Sequence, residues 1–466
     1  MKYIVILGDG MADEPQEALN GRTPLEAAVT PAMDELAKTG EIGLVKTIPD
    51  GMAPGSDTAN LAVLGYNPRE YYTGRSPLEA LSIGVPMKDT DVAMRCNLVT
   101  LTEEEPYEQK RILDHSSGEI STEDAAVLLK AVQDELENET YQFYVGTSYR
   151  HCMIQANAVM QEDAYSAQAA DASDGGTAGT DAGKKTVCIA PALENLTPPH
   201  DHLTEVIGPY LPADETLLAM QKRSYEILVN HPINLERKAK GLNPANSCWF
   251  WGAGTKPMVD SFEKKNGVKG TMISAVDLLK GIAIGAEMQV VQVPGANGGL
   301  HTNYEGKAQA AVDAILKDGA DYVYVHLEAP DEMGHQGSLE RKLQAIENLD
   351  QRIIRIVKEQ MDASGEPYRM LVMPDHPTPI RIRTHTADPI PYLLYDSTKP
   401  LYTGNEAAQD ISGAVGTNGP TADETKNASV ETGDTNVRRI YCERTAEESG
   451  IFRPEGYKLI DVLLES

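Results

Sequence analysis

Three apolar runs of the chain end in residues able to bind a cation or move a proton: YIVILGDG at Tyr3 to Gly10, YVYVHLEAPDEMGH at Tyr322 to His335, and MLVMPDH at Met370 to His376. In an open parallel sheet the ligand crevice lies outside the carboxyl ends of the strands. Asp9, Asp331, His335, Asp375 and His376 are therefore expected to converge from distant positions. Asp331 and His335 stand at i and i+4, which puts both on one face if the stretch is helical. The segment DHPTPIRIRTHT, which opens with Asp375 and His376, adds His385, Arg381 and Arg383 in one strand-end loop; strand alternation would let only one face of that run see the crevice. Mixed carboxylate and imidazole donors suit Mn2+, Zn2+ or Mg2+ better than calcium, whose sites are almost wholly oxygen. The pattern predicts two divalent metal ions.

A two-ion site typically activates an oxygen nucleophile and neutralises a transferring phosphoryl group. Ser56 in PGSDTANLAVLGY is the candidate nucleophile, expected at the cap of a helix from Asp57 to about Leu64. Standing alone, such a serine is a plain N-cap. Beside the ion ligands it can do more, because a neighbouring cation lowers the hydroxyl pKa and helix N–H groups can hold phosphoryl oxygens.

The elements that must position these residues alternate strand and helix most clearly at the two ends of the chain. A helical pattern spans Thr23 to Lys38, with Pro24 suited to a first turn. Later come a helical run at Ser274 to Ala286, a strand-like MQVVQV at Met288 to Val293, a helix at Tyr304 to Lys317, the strand at Tyr322 to Leu327, a helix from about Ser338 to Gln360, and the strand ending at Pro374. This layout is that of an α/β sandwich. The middle third lacks that rhythm: a helical stretch at Thr122 to Asn138 and strand-like runs at Tyr141 to Tyr144 and Thr186 to Ile189 stand among isolated polar residues. The expected division is therefore a discontinuous core, 1–76 and 269–466, with a second domain, 77–268, inserted into it. Two segments, Asp163 to Lys184 and Thr403 to Asn436, are too poor in apolar residues to fold alone and read as surface insertions.

The 466 residues carry a formal net charge of −29. Such a surface repels nucleic acid and anionic membranes, so neither is an expected partner, and an anionic substrate would need local cations to capture it. Cys96, Cys152, Cys188, Cys248 and Cys442 are odd in number and never in CxxC spacing, which argues for a reducing, cytoplasmic setting rather than a disulfide framework. No stretch approaches the ~20 apolar residues of a membrane span.

The motifs GDGMAD, PGSDTANLAVLGYNP, YYTGRSPLEALSIG, RCNLVT, SYRH, TPPHD, KGTMISAVDLLKGI, PGANGGLHTNYEGKA, APDEMGHQG and DHPTPIRIRTHTADPIP, in this order, resemble the cofactor-independent phosphoglycerate mutases of the archaeal type. The resemblance covers nearly the whole chain and implies an alkaline-phosphatase-like α/β/α sandwich core with a smaller inserted α/β (α+β) domain. It implies interconversion of 3-phosphoglycerate and 2-phosphoglycerate through a phosphoserine on Ser56, with no need for 2,3-bisphosphoglycerate. One ion would be gathered by Asp9, Ser56, Asp375 and His376, the other by Asp331, His335 and His385. Arg95, Asn97, Asp114, Arg150 and Lys280 are the expected substrate contacts, guanidinium and ammonium groups for the anion and a carboxylate to move a proton. The inserted domain would close over the core about a hinge near Gly74 and Val268, with His200 and Asp201 of TPPHD either helping to close the site or shaping a turn. The chain departs from the family pattern at its two insertions and at Glu119, where members often carry His. The alternative function is homoserine kinase, a reaction proposed for relatives of this subfamily, although neither a Walker A motif nor a kinase glycine loop is visible.

Overall fold

The computed structural model describes residues 1–161, 187–189, 193, 195–257, 259–403 and 439–465. Of the two segments expected as insertions, Asp163 to Lys184 and Thr403 to Asn436, all but Thr403 lie outside the described residues. Two compact units form: Met1–Pro68 with Val268–Ala275 and Val291–Ser466, and Arg69–Gly267 with Val276–Val290.

In the first unit, a sheet runs in the order Gly270–Ile273, Tyr322–Leu327, Lys2–Gly8, Tyr368–Met373, Ile390–Asp396, Glu41–Val45, Phe452–Arg453. The strand Lys2–Gly8 is parallel to both neighbours, with Gly8 beside Leu327 and Leu7 beside Met373. This register aligns three carboxyl ends, so the residues that follow each strand share one sheet edge. Ile390–Asp396 is antiparallel to both of its neighbours, so the sheet is mixed rather than wholly parallel. The cause is local: after Met373 the chain doubles back through 374–389 instead of crossing over by a helix.

Both faces of the sheet are covered. Ile4, Ile6, Val323, Val325, Met370 and Val372 join a core with the helices Tyr304–Leu316 and Leu339–Leu349. The alternate residues Val5, Leu7 and Tyr324 are also fully buried. On that second face Tyr324 meets Asn60 of the helix Ser56–Val63, and Tyr3 meets the carbonyl of Leu464. The α/β/α class follows from these two apolar faces.

Several boundaries differ from the sequence pattern for physical reasons. The helix expected over Thr23 to Lys38 is two short ones, Pro24–Ala27 and Pro31–Ala37, because Pro31 disfavours helical backbone at the residue before it and has no N–H to give. The long helix after Ser338 is continuous to Ser364 but passes through a π turn at Asp350–Ile354. The segment Asp277–Gly285, expected with the core, packs within the second unit against Arg75–Ser82. Gly281 permits that approach, since a Cβ there would stand 1.8 Å from the Leu78 carbonyl oxygen.

The second unit is built on an antiparallel sheet. Val92–Leu101 pairs with Arg150–Gln155, Ser247–Thr255 and Ile112–Asp114, and Tyr141–Thr147 extends it beyond Arg150–Gln155. Val92, Met94, Cys96 and Leu98 face a core shared with the helices Thr122–Leu136 and Glu215–Leu228, which leaves Arg95 and Asn97 on the opposite face. Among the described residues no helix is long and apolar enough to cross a membrane, and Cys96, Cys152, Cys248 and Cys442 are free and buried.

Candidate active site

The aligned strand ends of the first unit bring Asp9, Ser56, Asp331, His335, Asp375, His376 and His385 into one cluster. Asp9 follows the strand Lys2–Gly8, and the turn after it depends on Gly10, whose φ of +58 favours glycine. A Cβ at Gly10 would lie 2.4 Å from Thr378 Oγ1 and 2.6 Å from Asp331 Oδ1, so only hydrogen fits there. The Gly10 N–H donates to Asp375 Oδ1 at 3.1 Å, and the His376 N–H donates to the same oxygen at 2.9 Å.

Ser56 is the first residue of its helix rather than the cap. Gly55 occupies the N-cap with extended backbone, and no side chain caps the helix. The Ser56 hydroxyl is consequently free of a capping role; its Oγ is 3.0 Å from His376 Nε2 and 3.5 Å from Asp9 Oδ2.

Asp331 and His335 do share a helix, Ala329–His335, and His335 Nε2 is 3.1 Å from Asp331 Oδ2. His385 Nε2 lies 3.4 Å from Asp331 Oδ1 and 3.0 Å from His335 Nε2. The segment from Ile380 to Arg383 is a turn, not the strand expected from its alternation. Arg381 points outward to a surface pair with Glu14, whereas Arg383 contributes its backbone. With φ +56, Arg383 aims its carbonyl at His335, whose Nδ1–H donates at 2.9 Å. That bond fixes the ring so that Nε2 is turned toward Asp331 and His385. Below the loop, the buried Lys342 ammonium pairs with Asp13 at 2.7 Å and donates to the Thr378 carbonyl at 2.8 Å.

Electrostatics follow from burial and crowding. Burial, then the charges of Asp375 and Asp331, push the Asp9 carboxyl well above the usual carboxylate range. Burial opposes ionisation of Asp331 as well, but hydrogen bonds from His335 and His385 and the charge of His376 hold it well below that range. The hydrogen bond to Asp331 raises His335 to about 9. Burial, with a smaller push from His385, lowers His376 despite the charge of Asp375, and burial, aided by Lys307, takes His326 down to about 3, so His326 is neutral.

Four residues of this cluster escape a motif-based reading. His326 Nε2 stands 3.0 Å from Asp9 Oδ2, Thr378 bonds Asp331, and Asn60 links Ser56, Asp375 and Tyr324. His326 and Tyr324 hide inside an apolar strand. Asn60 carried a signal, its i+4 spacing from Ser56.

Divalent cations fit this donor set on the structure's own terms. Asp9, Asp375 and His376 each offer a ligand atom, all within 4.8 Å of one another, and so do Asp331, His376 and His385. Asp9 Oδ1 is buried without a hydrogen-bond partner among the described residues. A buried carboxylate oxygen in that condition is costly unless a cation or proton meets it.

The expected substrate contacts lie in the second unit. Arg95 is gripped by Glu79, its Nε donating to Oε2 at 2.8 Å, and its guanidinium lies 4.4 Å from the Trp251 ring. Trp251 Nε1 in turn donates to Asn97 Oδ1 at 3.2 Å. Asn97 and Arg150 are register partners on adjacent strands. Lys280 pairs with Asp277 at 3.0 Å. Asp114 is engaged in the turn it opens: Oδ1 accepts from the Ser116 N–H and hydroxyl, and Oδ2 from the Gly118 N–H and Asn243. Burial raises its pKa, but those bonds prevail and leave it lowered. His200, with Asp201 in the 3-10 turn Pro199–His202, stacks edge-on to Trp251 and His115. Gly74 has φ +116.

The fold is shared with solved structures. A Pyrococcus horikoshii protein matches with TM-score 0.70 and 25% identity over 99% of this chain and 96% of that one. A cofactor-independent phosphoglycerate mutase from Thermoplasma acidophilum matches with TM-score 0.57 and 23% identity, covering 100% and 99% of the two chains. The class is thus an α/β/α protein of the cofactor-independent mutase fold. The sequence model for "2,3-bisphosphoglycerate-independent phosphoglycerate mutase" matches residues 37–234. The Methanosarcina mazei protein of that name is 46% identical over 415 residues, 88% of this chain and 95% of its own length. The chain belongs to the 2,3-bisphosphoglycerate-independent phosphoglycerate mutase family.

Proposed function

We propose that this protein is an isomerase that interconverts 3-phosphoglycerate and 2-phosphoglycerate through a phosphoserine on Ser56, without 2,3-bisphosphoglycerate. The observation that carries the reading is the position of the Ser56 hydroxyl, free of any capping role and in contact with His376 and Asp9. Asp9, Asp375, His376 and Ser56 would hold one divalent cation and Asp331, His335 and His385 the other, with Mn2+ the expected metal. When bound, the cations lower the pKa of the serine hydroxyl and offset the charge of the phosphoryl oxygens.

Ser56 Oγ, having lost its proton, attacks phosphorus; the bond from phosphorus to the substrate's 3-oxygen breaks, and that oxygen takes up a proton. Glycerate turns without leaving. Its 2-hydroxyl then gives up a proton and attacks the phosphoserine, the bond to Oγ breaks, and the proton count is restored. The helix Ser56–Val63 holds Oγ in place, and its N-terminus is proposed to meet the incoming phosphoryl group. Arg95, Asn97, Arg150 and Lys280 are proposed to recognise the anionic substrate, and 77–268 to act as the substrate-binding domain. Asp114 suits a turn organiser better than a proton carrier, because its oxygens are already engaged. The free buried cysteines suit work in the cytoplasm.

The test is an assay of manganese-loaded protein with 3-phosphoglycerate and, separately, with homoserine plus ATP. Formation of 2-phosphoglycerate, with acid-quenched phosphate on Ser56, is the expected result. Phosphorylation of homoserine without mutase turnover would overturn the reading.

A further inference from the structure

One turn along the helix from Ser56, Asn60 is fully buried. Its amide nitrogen donates to the Ser56 carbonyl oxygen at 2.8 Å and to Asp375 Oδ2 at 2.8 Å. An amide NH2 has two protons, and both are committed. Turned over, the amide would set its own oxygen against a carbonyl and a carboxylate, so its orientation is fixed. Oδ1 must then accept a hydrogen bond, and the Tyr324 hydroxyl supplies it at 2.5 Å. Tyr324 is itself fully buried in the strand Tyr322–Leu327, the strand that leads into the helix bearing Asp331 and His335.

Other residue types do not satisfy these partners. Aspartate at 60 would face Asp375 with a second carboxylate and no donor. Leucine of similar size would leave the Tyr324 hydroxyl buried without its acceptor and take the amide donor from Asp375 Oδ2. Asn60 bonds both the nucleophile's backbone and a carboxylate of the ligand cluster.

We propose that Asn60, oriented by Tyr324, is a positioning residue that sets the distance between Ser56 Oγ and the ion held by Asp9 and Asp375. The proposal rests on the reading of Ser56 as nucleophile and deepens it. Asn60 bonds the Ser56 carbonyl rather than its hydroxyl. It acts by locking the helix to Asp375, so its loss should appear in metal affinity and in the phosphorylation step rather than in substrate binding.

The experiment titrates demetallated wild type, Asn60→Ala and Tyr324→Phe with manganese chloride by calorimetry, then measures steady-state constants for 3-phosphoglycerate on the manganese-loaded proteins. Removing a partner that orients a ligand typically costs 10–100-fold in metal affinity or activity. Asn60→Ala is expected to weaken one manganese site by about that factor and to slow Ser56 phosphorylation in rapid quench. Its kcat should fall in the same range while KM stays within about threefold. Tyr324→Phe keeps the ring and should show the same pattern at about three- to tenfold. Unchanged manganese affinity and kcat in a folded Asn60→Ala protein would overturn the proposal. If that variant fails to fold, Tyr324→Phe decides, and wild-type values there overturn it too. Wild type that binds manganese yet never phosphorylates Ser56 would instead sink the nucleophile reading, while calorimetry still tests the link from Asn60 to the ion.

Discussion

Ser56 and His385 give the sharpest tests at the scale of single residues. Ser56→Ala removes the proposed attacking oxygen but keeps Asp9, Asp375 and His376, which would still hold an ion. Turnover should fall by about 10^3-fold or more, as when other covalent nucleophiles are removed, with metal content nearly intact. Robust turnover by the alanine variant, measured beside elemental analysis, would end the covalent mechanism. His385→Ala probes the other donor set, because His385 Nε2 faces Asp331 and His335. About one equivalent of metal and most activity should be lost; a wild-type metal content would show the assignment to be wrong. The clustering of these residues was legible in sequence because acidic and imidazole side chains that end apolar strands stand out. Asp9 and Asp375 each follow an apolar run, and Asp331 and His335 keep helical spacing. The groups behind them were not legible. His326 and Tyr324 look like core residues of YVYVHL, and only the strand register shows that they reach Asp9 and Asn60.

The elements beneath the site are held by two buried ionisable groups with different expected responses. Lys342 joins its helix to Asp13 and to the 377–379 loop, and both side chains of the pair are 0% exposed. Lys342→Met would leave the buried Asp13 carboxylate without its counter-charge, held only by the Glu14 and Ile380 N–H groups and the Gln16 amide; losing one partner of a buried ion pair typically costs about 3–5 kcal/mol. Urea unfolding of the variant should show a loss of that order, and a loss below about 1 kcal/mol would mean that the neutral donors around Asp13 suffice without the ammonium. Asp350, in the π turn, accepts from the Met33 N–H at 2.7 Å and the Ala32 N–H at 3.1 Å, opening the helix Pro31–Ala37. Burial outweighs those bonds and raises its carboxyl to about 6. A raised carboxyl binds its proton in the native state while the unfolded chain, with a pKa of about 3.9, has released it. The contribution of Asp350 to stability is therefore largest at low pH and is lost as pH rises through about 6. Relative to Asp350→Asn, wild type should gain stability as pH falls from about 6 to 4; a difference that does not change with pH would contradict this. Neither feature could be read from periodicity. The apolar pattern predicted one helix from Ser338 to Gln360, and the extra residue of a π turn leaves no mark in that pattern, whereas Pro31 did mark the break that the reading of Thr23 to Lys38 passed over.

Across the whole molecule the metal ligands are unevenly shared. Every residue proposed to hold a cation belongs to the first unit, and each unit has its own buried core. The two tryptophans of the chain, Trp249 and Trp251, are both in the strand Ser247–Thr255 of the second unit. Tryptophan fluorescence therefore reports the second unit, whereas calorimetry reports both. A ligand that binds only the folded state stabilises it by RT ln(1 + [L]/Kd), about 2.7 kcal/mol at a hundredfold excess over Kd. Manganese should therefore move the calorimetric transition of the first unit upward, while the fluorescence melt moves much less. A chain of two cores need not unfold in one step, which is what makes the separation observable. Bound cations would also relieve the crowding of Asp9, Asp375 and Asp331 in a chain that already carries a net charge of −29. Chelation should thus lower the first transition below that of the manganese-loaded protein and leave the tryptophan signal nearly in place. Equal shifts in both signals would show that the metal centre stabilises the chain as one cooperative body, and the division of labour argued from the two cores would fail.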